Sequence, residues 1–381
     1  MNAAFPFFSG ESGERITMMI RIVHTADLHL DREIFAGEAK LLQKRRAEQR
    51  ALFTDIMMYV RDKRVDLLFF CGDLLDAPTP EKETEELLLR EFSNTPGCEI
   101  FICPGSHDPY RPGSFWAEGR FPGNVHIFKE DRVTFFEVPR LNARVYGYAF
   151  KGRRMTQRIL ADPPETDPAF FNLFCGCANL HGEKLRCPVS GEEIARSSFD
   201  YLAFGGEHEP SALFSAGGRN YAVCGSPESV GFDDCGSKSM RIAAMDRTDG
   251  KLLFQSKCVS VARKRFIRYE LSAADRTQGD LANELFEKMR ADGVDGNCYV
   301  EVLLTGNVPY DFRVDERAFE RPAARAGYFT VVDGTLSQYV GEIGEKGSAR
   351  AVFAAIAAEK IGDIELRSKV LKAGMAAFGE E

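Results

Sequence analysis

Leu67-Leu68-Phe69-Phe70-Cys71 is an unbroken apolar run, and it limits this chain to few folds. A strand with one wet face alternates apolar and polar residues. A short continuous run is a strand buried on both faces, the signature of a sheet with layers on either side. Glu99–Cys103 repeats the pattern after its first residue, and Ile20–Val23 is a shorter β-rich run. Between these runs, Leu41–Lys63 and Glu81–Phe92 mix charged and apolar residues as helices do. Further strands are expected at Val125–Phe128, Val133–Val138, Arg144–Ala149, Phe170–Leu180, Tyr201–Phe204, Tyr221–Cys224, Met240–Met245 and Leu252–Val261, with a helix at Glu192–Ser197. Alternating strands and helices followed by antiparallel-looking strands predict a layered α/β sandwich with mixed sheets.

A length of 381 residues exceeds one ordinary domain. Residues 18–265 read as the main domain and 266–340 as a smaller C-terminal α+β capping domain, with a helix at Asp280–Arg290 and a strand at Tyr299–Leu304. Residues 341–381 read as a glycine- and charge-rich linker and a helical tail. Residues 1–17 carry no secretory pattern and are expected to be poorly ordered. No stretch reaches the roughly 20 apolar residues of a membrane helix. With 44% hydrophobic and 28% charged residues, the chain is neither disordered nor a membrane bundle. Ten cysteines without regular spacing suggest reduced thiols and a cytoplasmic protein. The net charge of −8 excludes a uniformly basic nucleic-acid sleeve, although a local basic patch stays compatible with it.

Chemistry gathers where the strands end. Asp27-Leu28-His29, Gly72-Asp73, Gly105-Ser106-His107-Asp108, Asn179-Leu180-His181-Gly182 and Gly205-Gly206-Glu207-His208 each follow an expected strand. In layered α/β folds, loops at the carboxyl ends of strands converge on one edge. Residues i and i+2 of an extended segment face the same way, so Asp27 and His29 can reach one ion together. Carboxylate and imidazole donors suit Mn²⁺, Fe²⁺ or Zn²⁺. Two such ions sharing a carboxylate clamp a phosphoryl group for in-line displacement.

These clusters resemble the calcineurin-like metallophosphoesterases, and more closely the bacterial SbcD and YhaO group of DNA-repair exonuclease subunits. The resemblance spans about residues 19–270. It is carried by His24-Thr25-Ala26-Asp27-Leu28-His29-Leu30, Cys71-Gly72-Asp73-Leu74-Leu75-Asp76, Pro104-Gly105-Ser106-His107-Asp108-Pro109-Tyr110, Asn124-Val125-His126-Ile127-Phe128 and Gly225-Ser226-Pro227-Glu228 with Gly231-Phe232-Asp233. It implies a first metal, most simply Mn²⁺, held by Asp27, His29, Asp73 and His208. A second would share Asp73 and take His181. His107 would stand at the phosphate as a transition-state stabiliser or proton donor, with Asp108 orienting it. The resemblance further implies DNA as substrate, an SbcC-like ATPase as partner, and a homodimer.

Two positions depart from the family pattern. Ser106 stands where the family has Asn, and Gly206 where it has the first His of Gly-His-x-His. Both are second-metal positions, so one firm site and a weak or empty second site are expected. Strand alternation would turn Glu207 away and prevent it from compensating. On this reading, Ser106→Asn with Gly206→His raises turnover. The alternatives are a DNA-binding or regulatory subunit that has lost hydrolysis, and a small-molecule phosphoesterase.

Basic residues Arg45, Arg46 and Arg50 on the first long helix, with Arg153 and Arg154, are candidates for DNA phosphate contacts against the alternative of solvated faces. Arg263-Lys264-Arg265 is weighed the same way. Cys175, Cys177, His181 and Cys187 have a spacing that suggests zinc, but a buried strand is the better reading. His126 reads as a packed strand residue. Trp116 either packs after the His107 loop or stacks on a base.

Overall fold

The apolar runs are unbroken because both faces of their sheet are covered. The computed structural model describes residues 19–35, 38–182, 184–309, 312–338 and 348–377. The expected 1–17 extension and the 341–347 linker lie outside the described residues. The chain divides into two units at Arg263/Lys264.

The first unit begins with β1 (Ile20–Thr25), β2 (Leu67–Phe70), β3 (Glu99–Ile102) and β4 (Val125–Ile127), all parallel neighbours in that order. A second sheet takes β5 (Thr134–Val138), β6 (Ala143–Gly147), β7 (Phe171–Cys177), β8 (Tyr201–Gly205), β9 (Phe214–Ala216) and β10 (Arg219–Val223), in the order β5-β6-β7-β8-β10-β9. The chain then returns to the first sheet as the hairpin β11 (Met240–Thr248) and β12 (Lys251–Val259), with β11 antiparallel to β1.

The later strands correct the antiparallel expectation. The pairs β6–β7, β7–β8 and β8–β10 are parallel, and only β5 and β9 pair antiparallel within the second sheet. β7 and β8 are buried along their whole length, so the two-faced burial that marked the early strands applies to them too.

Alternation within β2 places each residue in a layer. Leu68 and Phe70 join the cluster that includes Val23, Ile100 and two helices, α1 (Ala39–Asp62) and α2 (Lys82–Ser93). Leu67 and Phe69 point the opposite way, against Val145, Leu173 and Tyr201 of the second sheet. From α1 come Leu52, Phe53, Ile56, Met57 and Val60, the i, i+4 stripe of a one-faced helix. Each such fully buried side chain contributes about 1.5–3 kcal/mol. The short α3 (Phe115–Glu118) follows the His107 loop, and α4 (Gly191–Arg196) precedes β8.

The second unit, taken by itself, is a parallel sheet of β13 (Arg265–Ser272), β14 (Cys298–Thr305) and a further strand at Tyr328–Asp333, covered by α5 (Gln278–Ala291). Two helices, Ala349–Lys360 and Ile364–Ala377, pack on each other through a small cluster of Ala354, Ala357 and Leu371.

One buried histidine belongs to the fold and not to the chemistry. His24 of β1 is fully buried between the sheets. Its Nε2 lies 2.9 Å from the Phe204 carbonyl, which can only accept, so Nε2 carries the proton and Nδ1 accepts from the Tyr201 hydroxyl at 2.9 Å. Burial, with the nearby Arg241 guanidinium, pushes its pKa down to about 3. The folded chain therefore refuses a proton that the unfolded chain accepts below about pH 6.5. Stability from this group is complete above that pH and falls as pH drops toward 3, by about 2 kcal/mol between pH 7 and pH 5. Denaturation of wild type and His24→Gln across pH 4–7 checks this. The variant is expected to have a shallower acid slope, and equal slopes would refute the assignment.

Candidate metal centre

The carboxyl ends of β1, β2, β3, β7 and β8 meet at one edge, stitched by the backbone. Asp27 N–H donates to Gly72 O, and His29 N–H to Asp73 O, each at 3.0 Å, so the loops after β1 and β2 run side by side. Asp27, His29 and Asp73 all take positive φ, at 54°, 45° and 48°. Non-glycine residues in that region cost free energy, and they concentrate where side-chain aim matters more than stability.

That aim produces a compact donor group. Asp27, His29 and His208 bring ligand atoms within 4.8 Å of one another. Asp27 is fully buried and His29 is 1% exposed. The Gly206 N–H satisfies Asp27 Oδ2 at 2.9 Å, while Asp27 Oδ1 and His29 Nε2 are buried with no hydrogen-bond partner. Burial pushes the Asp27 carboxyl up to about 6, against the pull of His208. A buried oxygen and a buried imidazole nitrogen, both unsatisfied and both aimed at His208, match the donor set of a divalent cation.

Carboxylates behind the imidazoles set their direction. Asp76 Oδ1 lies 2.9 Å from His29 Nδ1 and 3.3 Å from His107 Nδ1. The hydrogen bond to Asp76 raises the pKa of His107 against the opposing effect of burial. Asp234 Oδ2 lies 3.3 Å from His208 Nδ1, and Asp234 Oδ1 takes Lys238 Nζ at 2.6 Å. Burial opposes the charge on Asp234, but those two partners outweigh it and lower its pKa. His208 is affected in the opposite sense: burial disfavours its charge, while Asp234 and Asp27 win and raise its pKa. An imidazole whose Nδ1 proton is held by a carboxylate presents Nε2 as a more basic ligand.

Sequence reasoning assigned no role to Asp76 or Asp234. The signal for the first was its spacing, three residues after Asp73 across a turn. For the second it was the acidic pair Asp233-Asp234 after Phe232.

Other expected residues sit differently. Asp73 keeps its place beside the group, but Oδ1 accepts from His107 N–H at 2.7 Å and Oδ2 from the Ser106 hydroxyl at 3.1 Å. Only glycine fits at 105, since a Cβ there would lie 2.4 Å from Asp73 Oδ1. Asp108 does not orient His107. Its oxygens accept from Gly105 N, Leu75 N and Trp116 Nε1 at 2.7–3.1 Å, so it ties down the loop and the orienting carboxylate is Asp76. Burial and the charge of Asp73 push the Asp108 carboxyl up to about 7.

His181 also stands apart. Its side chain is 83% exposed, and Nε2 lies 3.0 Å from Glu207 Oε2. Glu207 was expected to face away by strand alternation. It stays out of the Asp27, His29 and His208 group: Gly206, at φ +92°, follows the end of β8, and Glu207 accepts from Leu180 N–H at 2.8 Å. The positions expected for a second metal thus hold no side chain at 206, a hydroxyl at 106 turned onto Asp73, and an imidazole paired with Glu207.

The arginines of α1 are held in ion pairs. Arg45 is 1% exposed and pairs with Glu228 at 2.5 Å. Arg46 pairs with Glu81, and Arg50 reaches Glu83 at 2.8 Å and Asp31 at 3.6 Å. These pairs bolt α1 to neighbouring loops. Arg263 is likewise held by Asp55 at 2.6 Å. Arg153 and Arg154 are exposed, and neither has a side-chain partner among the described residues. Their loop adjoins the His107 loop through Tyr110 N–H to Phe150 O at 2.8 Å and Phe150 N–H to Pro104 O at 2.9 Å.

Trp116 packs against Phe115 and Phe121 with its Nε1 on Asp108. His126 stacks on Phe101 and pairs with Glu99 at 2.9 Å. All ten cysteines are free thiols; Cys175, Cys177 and Cys187 are buried, remote in character from the exposed His181.

A family model described as calcineurin-like phosphoesterase matches residues 20–210, half of the chain. A metallophosphoesterase of Bacillus subtilis (strain 168), YhaO, itself described as uncharacterized, is 24% identical over 312 residues, covering 76% of this chain and 72% of that protein. Among solved structures, Vacuolar Protein Sorting 29 from Cryptosporidium parvum is 14% identical with a TM-score of 0.30, covering 64% of this chain and 99% of its own. Wild-type Vps29 from Entamoeba histolytica, complexed with zinc, is 12% identical with a TM-score of 0.27, over 63% of this chain and 99% of its own.

Proposed function

The chain belongs to the calcineurin-like phosphoesterase family, and on that premise we propose that it is a metal-dependent phosphodiesterase working with one firmly held divalent ion. The observation that carries this reading is the pair of buried, partnerless atoms, Asp27 Oδ1 and His29 Nε2, converging with His208. Each unsatisfied atom costs the fold about 1–3 kcal/mol, a cost that a cation offsets. When bound, the ion supplies Lewis-acid polarisation of a phosphoryl oxygen.

The protein's own groups then have distinct tasks. Asp76 holds the Nδ1 protons of His29 and His107, which leaves the Nε2 of His29 as a ligand. Its hydrogen bond to His107 favours the protonated imidazole, whose Nε2–H would then serve the leaving oxygen. Asp234, anchored by Lys238, fixes the ring of His208. Ser106 on Asp73, Glu207 on His181 and the bare Gly206 support a second site that is weak or unfilled. For the substrate, the DNA-end reading with an SbcC-like ATPase partner rests on the sequence resemblance, with Arg153 and Arg154 as its phosphate contacts beside the His107 loop.

The test combines turnover with stoichiometry. Wild type is expected to hydrolyse bis-p-nitrophenyl phosphate with Mn²⁺, and to retain one Mn²⁺ per chain after dialysis against micromolar metal. Two retained ions would overturn the single-ion reading. Absence of turnover with Mn²⁺, Fe²⁺ and Zn²⁺ alike would overturn the phosphodiesterase reading in favour of a binding subunit.

A further inference from the structure

Beside the metal centre lies a pocket of about 420 Å³ with no role in the chemistry described so far. That volume falls within the range of small-molecule sites, roughly 300–1,000 Å³. Its walls are Leu180, Val189, Ile194, Phe214, Tyr221 and Val223. Phe214 and Tyr221 lie side by side, with ring centroids 5.4 Å apart. Phe214 is 45% exposed although its neighbours in the wall include the fully packed Ile194 and Val223. An exposed aromatic ring beside a floor that includes the buried Val189, Ile194 and Val223 is a stacking surface.

The rim has the opposite character. Glu207 and Glu209 line the pocket with His181, and Glu207 is already the partner of His181 and of Leu180 N–H. Two carboxylates repel a phosphate. They accept hydrogen bonds from N–H groups instead. The residues on the cation side alternate with these carboxylates along the same short segment: Gly206 N–H bonds Asp27 Oδ2, and His208, between Glu207 and Glu209, joins Asp27 and His29. A phosphoester lying across this segment places its anionic group on the metal side and its organic group on the pocket side.

We infer that this pocket binds the planar aromatic group esterified to the phosphate, as in the base of a nucleotide or of a terminal nucleotide, stacked on Phe214 and Tyr221 with its N–H edge toward Glu207 and Glu209. The inference rests on the phosphodiesterase reading and deepens it by naming the substrate class. Aromatic stacking tolerates any base, so the pocket selects for a ring and not for a sequence.

Gly191 provides the test. It lines the pocket at the start of α4, its φ is not in the positive region, and a Cβ there meets nothing within 4 Å. Gly191→Leu therefore fills the cavity without straining the backbone. Adenosine 5′-phosphate, titrated calorimetrically in the presence of Mn²⁺, is expected to bind the variant at least tenfold more weakly than wild type. In steady-state hydrolysis, the ratio of KM for bis-p-nitrophenyl phosphate to that for methyl p-nitrophenyl phosphate is expected to rise about tenfold. The two esters share a leaving group and differ by one ring. Equal affinity for adenosine 5′-phosphate in both proteins, or an unchanged KM ratio, overturns the pocket. Weakened binding by the variant together with no turnover by wild type would uphold the pocket and reject the phosphodiesterase reading.

Discussion

Asp27→Asn lowers Mn²⁺-dependent hydrolysis of bis-p-nitrophenyl phosphate by at least about a thousandfold, because it removes an innermost ligand where loss of an outer support alone costs roughly 10–100-fold. The substitution is nearly isosteric. The amide oxygen of Asn can still accept from Gly206 N–H, and Asn tolerates the positive φ of 54° at this position. The fold is therefore retained and the loss is chemical. Metal-linked stability separates this from misfolding. At one hundred times its Kd, a bound ion stabilises wild type by about 2.7 kcal/mol. For a unit of this size that is roughly 5–10 °C in Tm. The Asn variant is expected to show the wild-type Tm or higher without metal, because burial raises the Asp27 carboxyl to about 6 and its ionisation at pH 8 costs the metal-free fold. It is expected to show no Mn²⁺-dependent rise. A variant that kept the full Mn²⁺ shift would remove Asp27 from the ligand set.

The parts of the fold legible in the sequence are those where burial leaves no freedom. Leu67–Phe70 must face a helix layer with every second residue and another sheet with the rest, so neither set can be polar, and the strand announces itself. Strand direction leaves no such trace. β7 and β8 are as apolar as β2, but nothing in their composition says that they pair in parallel. The short β9 at Phe214–Ala216 was invisible because its residues are mostly exposed and its pairing is with β10 alone.

The site divides along a similar line. The convergence of Asp27, His29 and His208 was readable because candidate ligands are particular residue types at particular strand ends. Their supports were not, because a carboxylate that holds an imidazole needs only to arrive there in space. Asp234 reaches His208 from a loop 26 positions later, and its partner Lys238 belongs to the same loop. The arginines failed for the same reason: Arg45 looked available in sequence, but its partner Glu228 lies in a distant segment that folds over it. Glu207 stays out of the metal-ligand group, as alternation has it, but its partners His181 and Leu180 N–H come from the loop after β7 and left no trace in its own segment, where the glycine before it takes φ +92°.

That glycine also reverses the expected outcome of restoring the family residues. Ser106→Asn with Gly206→His supplies both missing side chains, but position 206 does not accept one without movement. An L-residue at φ +92° is strained, by roughly 1–3 kcal/mol. A Cβ there would also stand 2.9 Å from Cys177 Sγ and 3.3 Å from Ala178 O, both at the buried end of β7. Crowding a packed site of this kind adds about 1–3 kcal/mol. The backbone must move, and Gly206 N–H is the group that orients Asp27, so any shift disturbs the first site. The double variant is expected to lose roughly 5–15 °C in Tm, to retain one Mn²⁺ per chain, and to turn over bis-p-nitrophenyl phosphate no faster than wild type. Adding Cys177→Ala removes the sulfur contact but leaves φ unchanged, so it should recover the steric share of the lost stability and none of the turnover. A second retained ion together with a rise in kcat in the double variant would mean that the edge can still close around two metals.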